Sequence, residues 1–148
     1  MADSTKMTCL GCGAVNRVPE AKLGDGPKCG ACGSKLADGK VAELTPAILE
    51  KAMAHDEVPL VVDFWAPWCG PCRMMAPEFA KAAQASAPHV RYAKINTEDF
   101  PVVSQKFGIR GIPLMIVFRS GRELGRQAGA MPAQSIMSFV QSKSGAYV

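Results

Sequence analysis

The sequence predicts an α/β domain, with a mixed β-sheet covered by helices on both faces, preceded by a small cysteine-rich module. Residues 1–43 contain four cysteines, many glycines and scattered charges without a sustained hydrophobic period. From residue 44 onward strand and helix signals alternate, and the alternation includes a hairpin pattern that adds antiparallel strands to an otherwise parallel sheet. We therefore expect one module over residues 1–43 and a second domain over residues 44–148.

The larger domain is expected to begin with a helix, because Thr45 followed by Pro46 provides an N-cap and a proline at the first helical position. The stretch "PLVVDFWA" then predicts a buried strand. It is followed by "CRMMAPEFAKAAQAS", which predicts a helix from Cys72 to about Ser86, with Pro77 as a candidate kink.

The remaining elements follow the same alternation. "VRYAKIN" predicts a strand and "EDFPVVSQKF" a short helix, while "PLMIVFRSGRELGRQ" predicts a hairpin that turns at Ser120-Gly121. "PAQSIMSFVQS" predicts a closing amphipathic helix. Four methionines in these elements are expected to pack in the core: Met74, Met75, Met115 and Met137.

Charge and hydropathy argue against two classes of partner. The formal net charge is +4, but the basic residues form no run or stripe, so we expect no binding to nucleic acid. No stretch approaches the roughly 18 apolar residues of a membrane span, and "MADSTKMTCLGCG" has no apolar signal region. We therefore expect a cytoplasmic protein without membrane association, and a monomer.

Two pairs of cysteines in the first module have the spacing of a zinc ribbon. Cys9 and Cys12 are separated by sixteen residues from Cys29 and Cys32. A module with so few large apolar residues cannot bury enough surface to fold alone, so a metal ion at four thiolates would supply much of its stability. The alternatives are two disulfides, four idle thiols, or an iron centre. With four protein ligands the site would be closed and structural, and His55 and His89 are not needed as ligands.

A third pair, Cys69 and Cys72, occurs between a predicted buried strand and a predicted helix. This is the context of a redox-active dithiol, whereas a zinc site here would lack its second pair of ligands. Cys69 would stand at the helix N-terminus, where unpaired N–H groups and the helix dipole favour a thiolate and lower the pKa of its thiol.

The segments "VVDFWAPWCGPC", "AKIN" and "FGIRGIP", followed by Gly129-Ala130, resemble the thioredoxin family in order and separation. The resemblance covers about residue 45 to the C-terminus. With the four-cysteine module in front, the whole chain resembles the zinc-containing bacterial thioredoxins often called thioredoxin 2. The resemblance implies the thioredoxin fold and one structural zinc ion.

The resemblance also implies roles for the central residues. Cys69 would attack a substrate disulfide and Cys72 would resolve the mixed disulfide, while Gly-Pro between them is associated with reductants. Asp63, a carboxylate in an apolar strand, matches a buried aspartate that exchanges a proton with the resolving cysteine. Lys94 matches a lysine that tunes this aspartate. From the residues alone, an exposed aspartate at a strand end and a solvated lysine at a strand edge remain alternatives.

By the same resemblance, Pro113 is expected in a cis-proline loop that faces the redox pair. The implied substrate-binding residues are Trp68, Gly70, Pro71, Ile112, Pro113, Gly129 and Ala130. Leu114 departs from the threonine that most thioredoxins carry, which bears on substrate preference, and Pro67 replaces a more usual polar residue.

The function implied is reduction of protein disulfides by thiol–disulfide exchange. The implied partners are an NADPH-dependent flavoprotein, thioredoxin reductase, and oxidised client proteins. One alternative is a client-binding adaptor or redox-regulated chaperone, in which the thioredoxin domain mainly holds its clients. Another is an oxidant or isomerase, which the reduction potential of the Cys69–Cys72 pair would distinguish.

Overall fold

The computed structural model describes residues 3–145. Within these residues the chain forms seven β-strands and four α-helices, with the strands arranged in one two-stranded and one five-stranded sheet. In chain order the elements are β1 (Ser4–Thr8), β2 (Val15–Pro19), β3 (Ala42–Glu43), α1 (Pro46–His55), β4 (Leu60–Trp65), α2 (Gly70–Ser86), β5 (Arg91–Asn96), α3 (Pro101–Phe107), β6 (Leu114–Arg119), β7 (Arg122–Ala128) and α4 (Ala133–Ser144).

The five-stranded sheet has the order β3-β5-β4-β6-β7. Its first three strands run parallel, because helical crossovers connect them, and the hairpin of β6 and β7 adds two antiparallel strands. The hairpin turns at Ser120 and Gly121, which both have positive φ, at 51° and 82°. The predicted mixed sheet and the predicted hairpin turn are both confirmed.

Helices cover both faces of this sheet. Along β4, Leu60, Val62 and Phe64 point into a core shared with α1 and α3. Val61 points into the opposite core, which α2 and α4 complete. Because successive residues of a strand point to opposite faces, Asp63 shares the face of Val61 and therefore lies on the side of α2.

The local sequence sets where the helices begin. Thr45 caps α1 as predicted, and its Oγ1 accepts the Ile48 N–H at 3.4 Å. The helix predicted for "EDFPVVSQKF" is shorter than expected and begins at Pro101. The Asn96 side chain explains the difference, because its Oδ1 accepts the N–H groups of Glu98 and Asp99 and holds them in a turn.

The cysteine-rich module contains the antiparallel pair β1 and β2, which the sequence did not predict. Its small core includes Met7, Val18 and Leu36, and Val58 from the loop after α1 packs into the same cluster. The backbones of Lys6 and Glu57 also pair, since the Glu57 N–H donates to the Lys6 carbonyl at 3.0 Å. The module therefore packs directly against the five-stranded sheet's domain.

Candidate active site and metal centre

The third cysteine pair lies where β4 leads into α2. Cys69 is the N-cap residue of α2, and its sulfur accepts the Cys72 N–H at 3.2 Å. The two cysteines are joined by a disulfide, with their Cα atoms 5.2 Å apart. Pro71 in the first turn suits the helix start, because the N–H that it lacks would have no partner within the helix. The predicted position of Cys69 at a helix N-terminus is confirmed.

A loop before β6 faces this disulfide. The Cys69 sulfur lies 3.8 Å from the carbonyl oxygen of Ile112, and the Ile112–Pro113 peptide bond is cis, as the resemblance implies. The Gly129 N–H donates to the Pro113 carbonyl at 2.9 Å, which brings the end of β7 beside the same loop. The structure thus brings Cys69, Ile112, Pro113 and Gly129 together beside the disulfide.

The surface around the disulfide is apolar and largely exposed to solvent. Trp68 is 66% exposed, Pro71 and Ala130 are also exposed, and Ile112 is half-buried, whereas Pro113 is buried. We call the surface formed by Trp68, Pro71, Ile112 and Ala130 the rim surface. An extended peptide of a client protein could lie across it.

One expectation about a neighbouring side chain needs correction. Met74 is 75% exposed one turn into α2, so its predicted place in the core is wrong. Met75 and Met115 are buried in the core as predicted. Leu114, which departs from the threonine of most thioredoxins, is buried in the core shared with α1 and α3, where it begins β6 and pairs with Phe64.

Asp63 is buried and lines a cavity with Cys72 of the disulfide. The residue is 3% exposed, which excludes the alternative of an aspartate exposed at a strand end. It lines a cavity of about 130 Å³ together with Cys72 and Trp65. Asp63 Oδ1 and Trp65 Nε1 both lack a hydrogen-bond partner among the described residues. Burial raises the pKa of Asp63 from 3.8 to about 7, against the opposing effect of the Lys94 charge.

Lys94 stands beside Asp63 on the neighbouring parallel strand, in direct register. Its side chain is 32% exposed, and its Nζ lies 4.7 Å from the centroid of the Trp65 ring. The ammonium also lies 3.8 Å from Oε1 of Glu43. Lys94 is therefore held by neighbours at the edge of the cavity rather than fully solvated.

The four cysteines of the first module converge as the spacing predicts. The sulfurs of Cys9, Cys12, Cys29 and Cys32 all lie within 4.8 Å of one another. Sγ of Cys9 is 3.6 Å from that of Cys32, and Sγ of Cys12 is 3.7 Å from that of Cys29. A tetrahedral zinc ion with bonds of about 2.3 Å would separate its sulfur ligands by roughly 3.8 Å. The four are free thiols, and their arrangement fits a metal ion.

Two similar turns present these sulfurs. Gly13 and Gly33 follow the two pairs with φ of 85° and 80°, a conformation that favours glycine. Their N–H groups donate to the carbonyls of Cys9 and Cys29 at 2.8 and 2.9 Å. Each turn thereby closes on the first cysteine of its pair, which places both cysteines on the side facing the other turn.

The charge state of the sulfurs also suits a cation. The side chain of Asn16 and the N–H groups of Cys32 and Ala31 lower the pKa of Cys29 to about 6. The Ala14 N–H lowers the pKa of Cys12, but desolvation and the neighbouring sulfurs outweigh it and raise that pKa to about 11. Crowded sulfurs thus resist being charged together, and a divalent cation would remove that conflict.

The sequence did not identify several residues around the redox pair. Arg73 donates from Nη1 to the Pro67 carbonyl at 3.0 Å and lines the Asp63 cavity, which Val41 also lines. Trp65 entered the sequence analysis only as part of the segment "VVDFWAPWCGPC". These residues meet at the cavity from separate elements of the fold. The sequence offered a signal only for Trp65, because strand alternation places it on the same face of β4 as Asp63.

Cys69 and Cys72 lie three positions apart at the N-terminus of α2 and are joined by a disulfide. This arrangement is that of a thiol–disulfide oxidoreductase, and Cys69–Cys72 is its active-site pair. A family profile described as thioredoxin matches residues 40–142. The chain belongs to the thioredoxin family. A second profile, described as the N-terminal part of thioredoxin 2, matches residues 8–34 and so covers the four-cysteine module.

Named relatives agree with this assignment. Thioredoxin C-3 of Corynebacterium nephridii is 37% identical over 137 residues, covering 93% of this chain and 94% of its own. The thioredoxin of Porphyra purpurea is 38% identical over 98 residues, covering 66% of this chain and 92% of its own. The solved structure of chloroplastic thioredoxin z superposes with a TM-score of 0.66 and 32% identity, covering 72% of this chain and 96% of its own.

The predicted family, fold class and oxidoreductase activity are thereby confirmed. Among the helices within residues 3–145, none combines the length and apolar character that crossing a bilayer requires.

Proposed function

We propose that this protein reduces disulfides in client proteins, with Cys69 as the attacking thiolate and Cys72 as the resolving thiol. The observation that carries the assignment is the different surroundings of the two sulfurs. Cys69 caps α2 and faces the Ile112 carbonyl at the rim surface, whereas Cys72 lies toward the cavity of Asp63. A helix N-terminus stabilises a thiolate, so Cys69 has both the charge and the access that an attacking group needs.

The exchange proceeds in two displacements. The Cys69 thiolate attacks one sulfur of the client disulfide, that S–S bond breaks, and the other client sulfur leaves as a thiolate. Cys72 then loses its proton and attacks the Cys69 sulfur. The mixed disulfide breaks, the second client thiolate leaves, and the Cys69–Cys72 disulfide remains. Two electrons pass to the client, and the oxidised product corresponds to the disulfide in this structure.

Asp63 is proposed to accept the proton of Cys72. Both residues line the same cavity, whose volume of about 130 Å³ is sufficient for a bridging water. Asp63 has a pKa of about 7, so its carboxyl group exchanges protons near neutral pH. Lys94 is proposed to favour the ionised carboxylate, because its ammonium opposes the effect of burial on that pKa.

The rim surface is proposed to bind clients. Trp68 and Pro71 offer exposed apolar contact, and the backbone of Ile112 offers hydrogen bonds to an extended peptide beside the Cys69 sulfur. The resemblance adds Gly70, Pro113, Gly129 and Ala130 to this contact set. Since main-chain hydrogen bonds do not depend on the client's side chains, such a surface suits many clients.

The four-cysteine module is proposed to hold one structural zinc ion. Four thiolates in a closed tetrahedral arrangement suit zinc, and a module with a core of few residues needs the stability that such an ion supplies. Zinc is favoured over iron because no redox role is required of a second centre. The module was expected to span residues 1–43 and the catalytic domain residues 44–148. Because β3 (Ala42–Glu43) pairs with β5 of the catalytic sheet, we propose instead that the boundary lies just before Ala42. Residues 1, 2 and 146–148 lie outside the described part.

Electrons are proposed to come from an NADPH-dependent flavoprotein, thioredoxin reductase, which would reduce Cys69–Cys72 between cycles. The cytoplasm is the proposed compartment, because closely spaced cysteines that bind metal or carry out redox chemistry are typical of a reducing environment. We propose that the protein acts as a monomer on oxidised client proteins.

The division of labour between the thiols can be tested by insulin reduction with dithiothreitol as electron donor. We expect Cys69→Ser to abolish catalysis and Cys72→Ser to accumulate mixed disulfides with insulin chains. Mass spectrometry after acid quenching would identify Cys69 in those adducts. If Cys72→Ser reduced insulin at the wild-type rate, or if adducts formed at Cys72 in Cys69→Ser at the same yield, the assignment would be wrong.

A further inference from the structure

Three charged residues form a row across the sheet next to the disulfide. Glu43 on β3 is in register with Lys94 on β5, and Lys94 is in register with Asp63 on β4. Register partners on adjacent strands point to the same face of a sheet. The order across this row is therefore acid, base, acid, with Lys94 placed between two carboxyl groups.

The Lys94 ammonium is shared between these neighbours. Its Nζ lies 3.8 Å from Oε1 of Glu43 and 4.7 Å from the centroid of the Trp65 ring. The side chain of Glu43 is 56% exposed and that of Lys94 is 32% exposed, whereas Asp63 is buried. The ion pair with Glu43 thus gives the ammonium a second, more exposed carboxylate partner beside the buried carboxyl group of Asp63.

The segment that carries Glu43 also closes the cavity behind the disulfide. Val41, two residues before Glu43, lines that cavity. The titratable and charged groups facing Asp63 are Cys72 and Arg73 from α2 and Lys94 from β5, with Glu43 from β3 behind Lys94. Of these, Glu43 and Asp63 are the carboxyl groups that compete for the same ammonium.

We propose that Glu43 is a positioning residue for the exchange reaction, which holds the Lys94 ammonium and so limits its attraction for the Asp63 carboxylate. This inference rests on the proposed role of Asp63 as proton acceptor. Glu43 does not touch the reacting sulfurs and acts through Lys94.

The direction of the effect follows from electrostatics. Without the Glu43 charge, Lys94 interacts more strongly with Asp63, and a negative charge near Asp63 is also lost. Both changes favour the ionised form of Asp63. Because the ion pair is partly exposed, solvent screens it and the effect is modest. The titration midpoint of Asp63 should therefore move to lower pH by a few tenths of a pH unit, roughly a twofold change in proton affinity.

The experiment is a carbon-13 NMR titration of the Asp63 carboxyl group in the oxidised protein, in which Cys72 is held in the disulfide and does not titrate. Glu43→Gln is compared with the wild type, with Lys94→Gln and with the double variant. Glu50→Gln is the matched control, because Glu50 forms a comparable exposed ion pair with Lys106, at 3.2 Å, between α1 and α3.

We expect Glu43→Gln to lower the Asp63 midpoint, Lys94→Gln to raise it, and Glu50→Gln to leave it unchanged. In the Lys94→Gln background the effect of Glu43→Gln should shrink, because its route through the ammonium is gone. The inference is overturned if Glu43→Gln moves the midpoint no more than Glu50→Gln does. It is equally overturned if the effect is as large without Lys94, since Glu43 would then act by its own charge.

The rate of mixed-disulfide resolution separates this inference from the proposed function. If Asp63 accepts the Cys72 proton, the midpoint of the pH–rate profile should move with the NMR midpoint in Glu43→Gln. A moved NMR midpoint with an unmoved rate profile would refute the role of Asp63 in exchange and leave the link between Glu43 and Lys94 intact.

Discussion

Arg91 and Asp56 form a buried ion pair at the junction between the cysteine-rich module and the catalytic domain. Arg91 Nη1 also donates to the Leu36 carbonyl at 3.1 Å, and Asp56 Oδ1 accepts the Thr8 N–H at 2.7 Å. Burial raises the pKa of Asp56, which the Arg91 charge and the Thr8 N–H oppose. Each member of the pair thus belongs to the catalytic domain and also holds a backbone group of the module.

Breaking this pair should be strongly destabilising. We expect Asp56→Asn to lower the free energy of unfolding by about 3–5 kcal/mol, because it leaves the Arg91 charge buried and uncompensated. Urea denaturation of the metal-loaded protein would measure this loss. Glu123→Gln breaks the exposed pair of Glu123 with Arg126 and should cost less than about 1 kcal/mol. Equal losses in the two variants would mean that burial adds nothing to the junction pair.

Removal of the metal should disorder the module and spare the catalytic sheet. The core of the module consists of a few side chains and cannot hold β1 and β2 by itself, whereas β4 lies between two large clusters. Hydrogen exchange after treatment with a strong chelator should show lost protection at Met7 and Val18 and retained protection at Val62. Loss of protection throughout the chain would show that the junction makes the two modules one cooperative unit.

The relation between Asp63 and the redox pair was predicted from the resemblance to thioredoxins, and strand alternation agrees with it. In "LVVDFW" the carboxylate shares a face with Val61, and the helix that begins after Cys69 returns along that face. The two pairs of metal-ligating cysteines were also predicted, in their case from the sequence itself, because their spacing is short and regular. Both predictions depend on residues that lie close together along the chain.

Contacts between elements that are distant along the chain, and the side of a helix that packs against the sheet, could not be predicted from the sequence. Met74 and Met75 are adjacent on α2 and point about 100° apart, so just one of them can face the sheet, and composition favours neither. Asp56 and Arg91 are separated by 35 positions, and each on its own has the pattern of an ordinary surface charge. The partner that makes burial tolerable is visible only once the fold brings both together.

Truncation of the rim surface should affect protein substrates more than small ones. Trp68→Ala removes a ring that is 66% exposed and does not alter the sulfurs. We expect it to raise KM for insulin several-fold, since such aromatic contacts are often worth more than about 1 kcal/mol, while reduction of a small aromatic disulfide is nearly unchanged. Val102→Ala, an exposed apolar residue on α3, is the control. Equal effects on both substrates would place Trp68 in the chemistry rather than in binding.

Neutralising Asp63 should stabilise the fold in a pH-dependent way. Well below pH 3.8 the carboxyl group is protonated in both folded and unfolded chains, so its titration contributes nothing there. As pH rises from 3.8 to about 7, the unfolded chain ionises first and the wild type loses stability, up to a few kcal/mol at roughly 1.4 per pH unit. The advantage of Asp63→Asn in urea denaturation should therefore grow through this range and level off above it. A constant difference would contradict the raised pKa.

The same variant should slow the second displacement of the exchange reaction. In the wild type the carboxylate that accepts the Cys72 proton forms as pH passes about 7, so resolution should accelerate through that range. Without it the proton must go to solvent, and general-base assistance is typically worth on the order of 10²–10⁴ in rate. Stopped-flow measurement on a preformed mixed disulfide between Cys69 and a peptide should show this deficit near neutral pH. The deficit should shrink at higher pH, because hydroxide then removes the proton directly. An Asp63→Asn protein that is folded and resolves at the wild-type rate across this range would leave the buried carboxyl group without a part in the exchange.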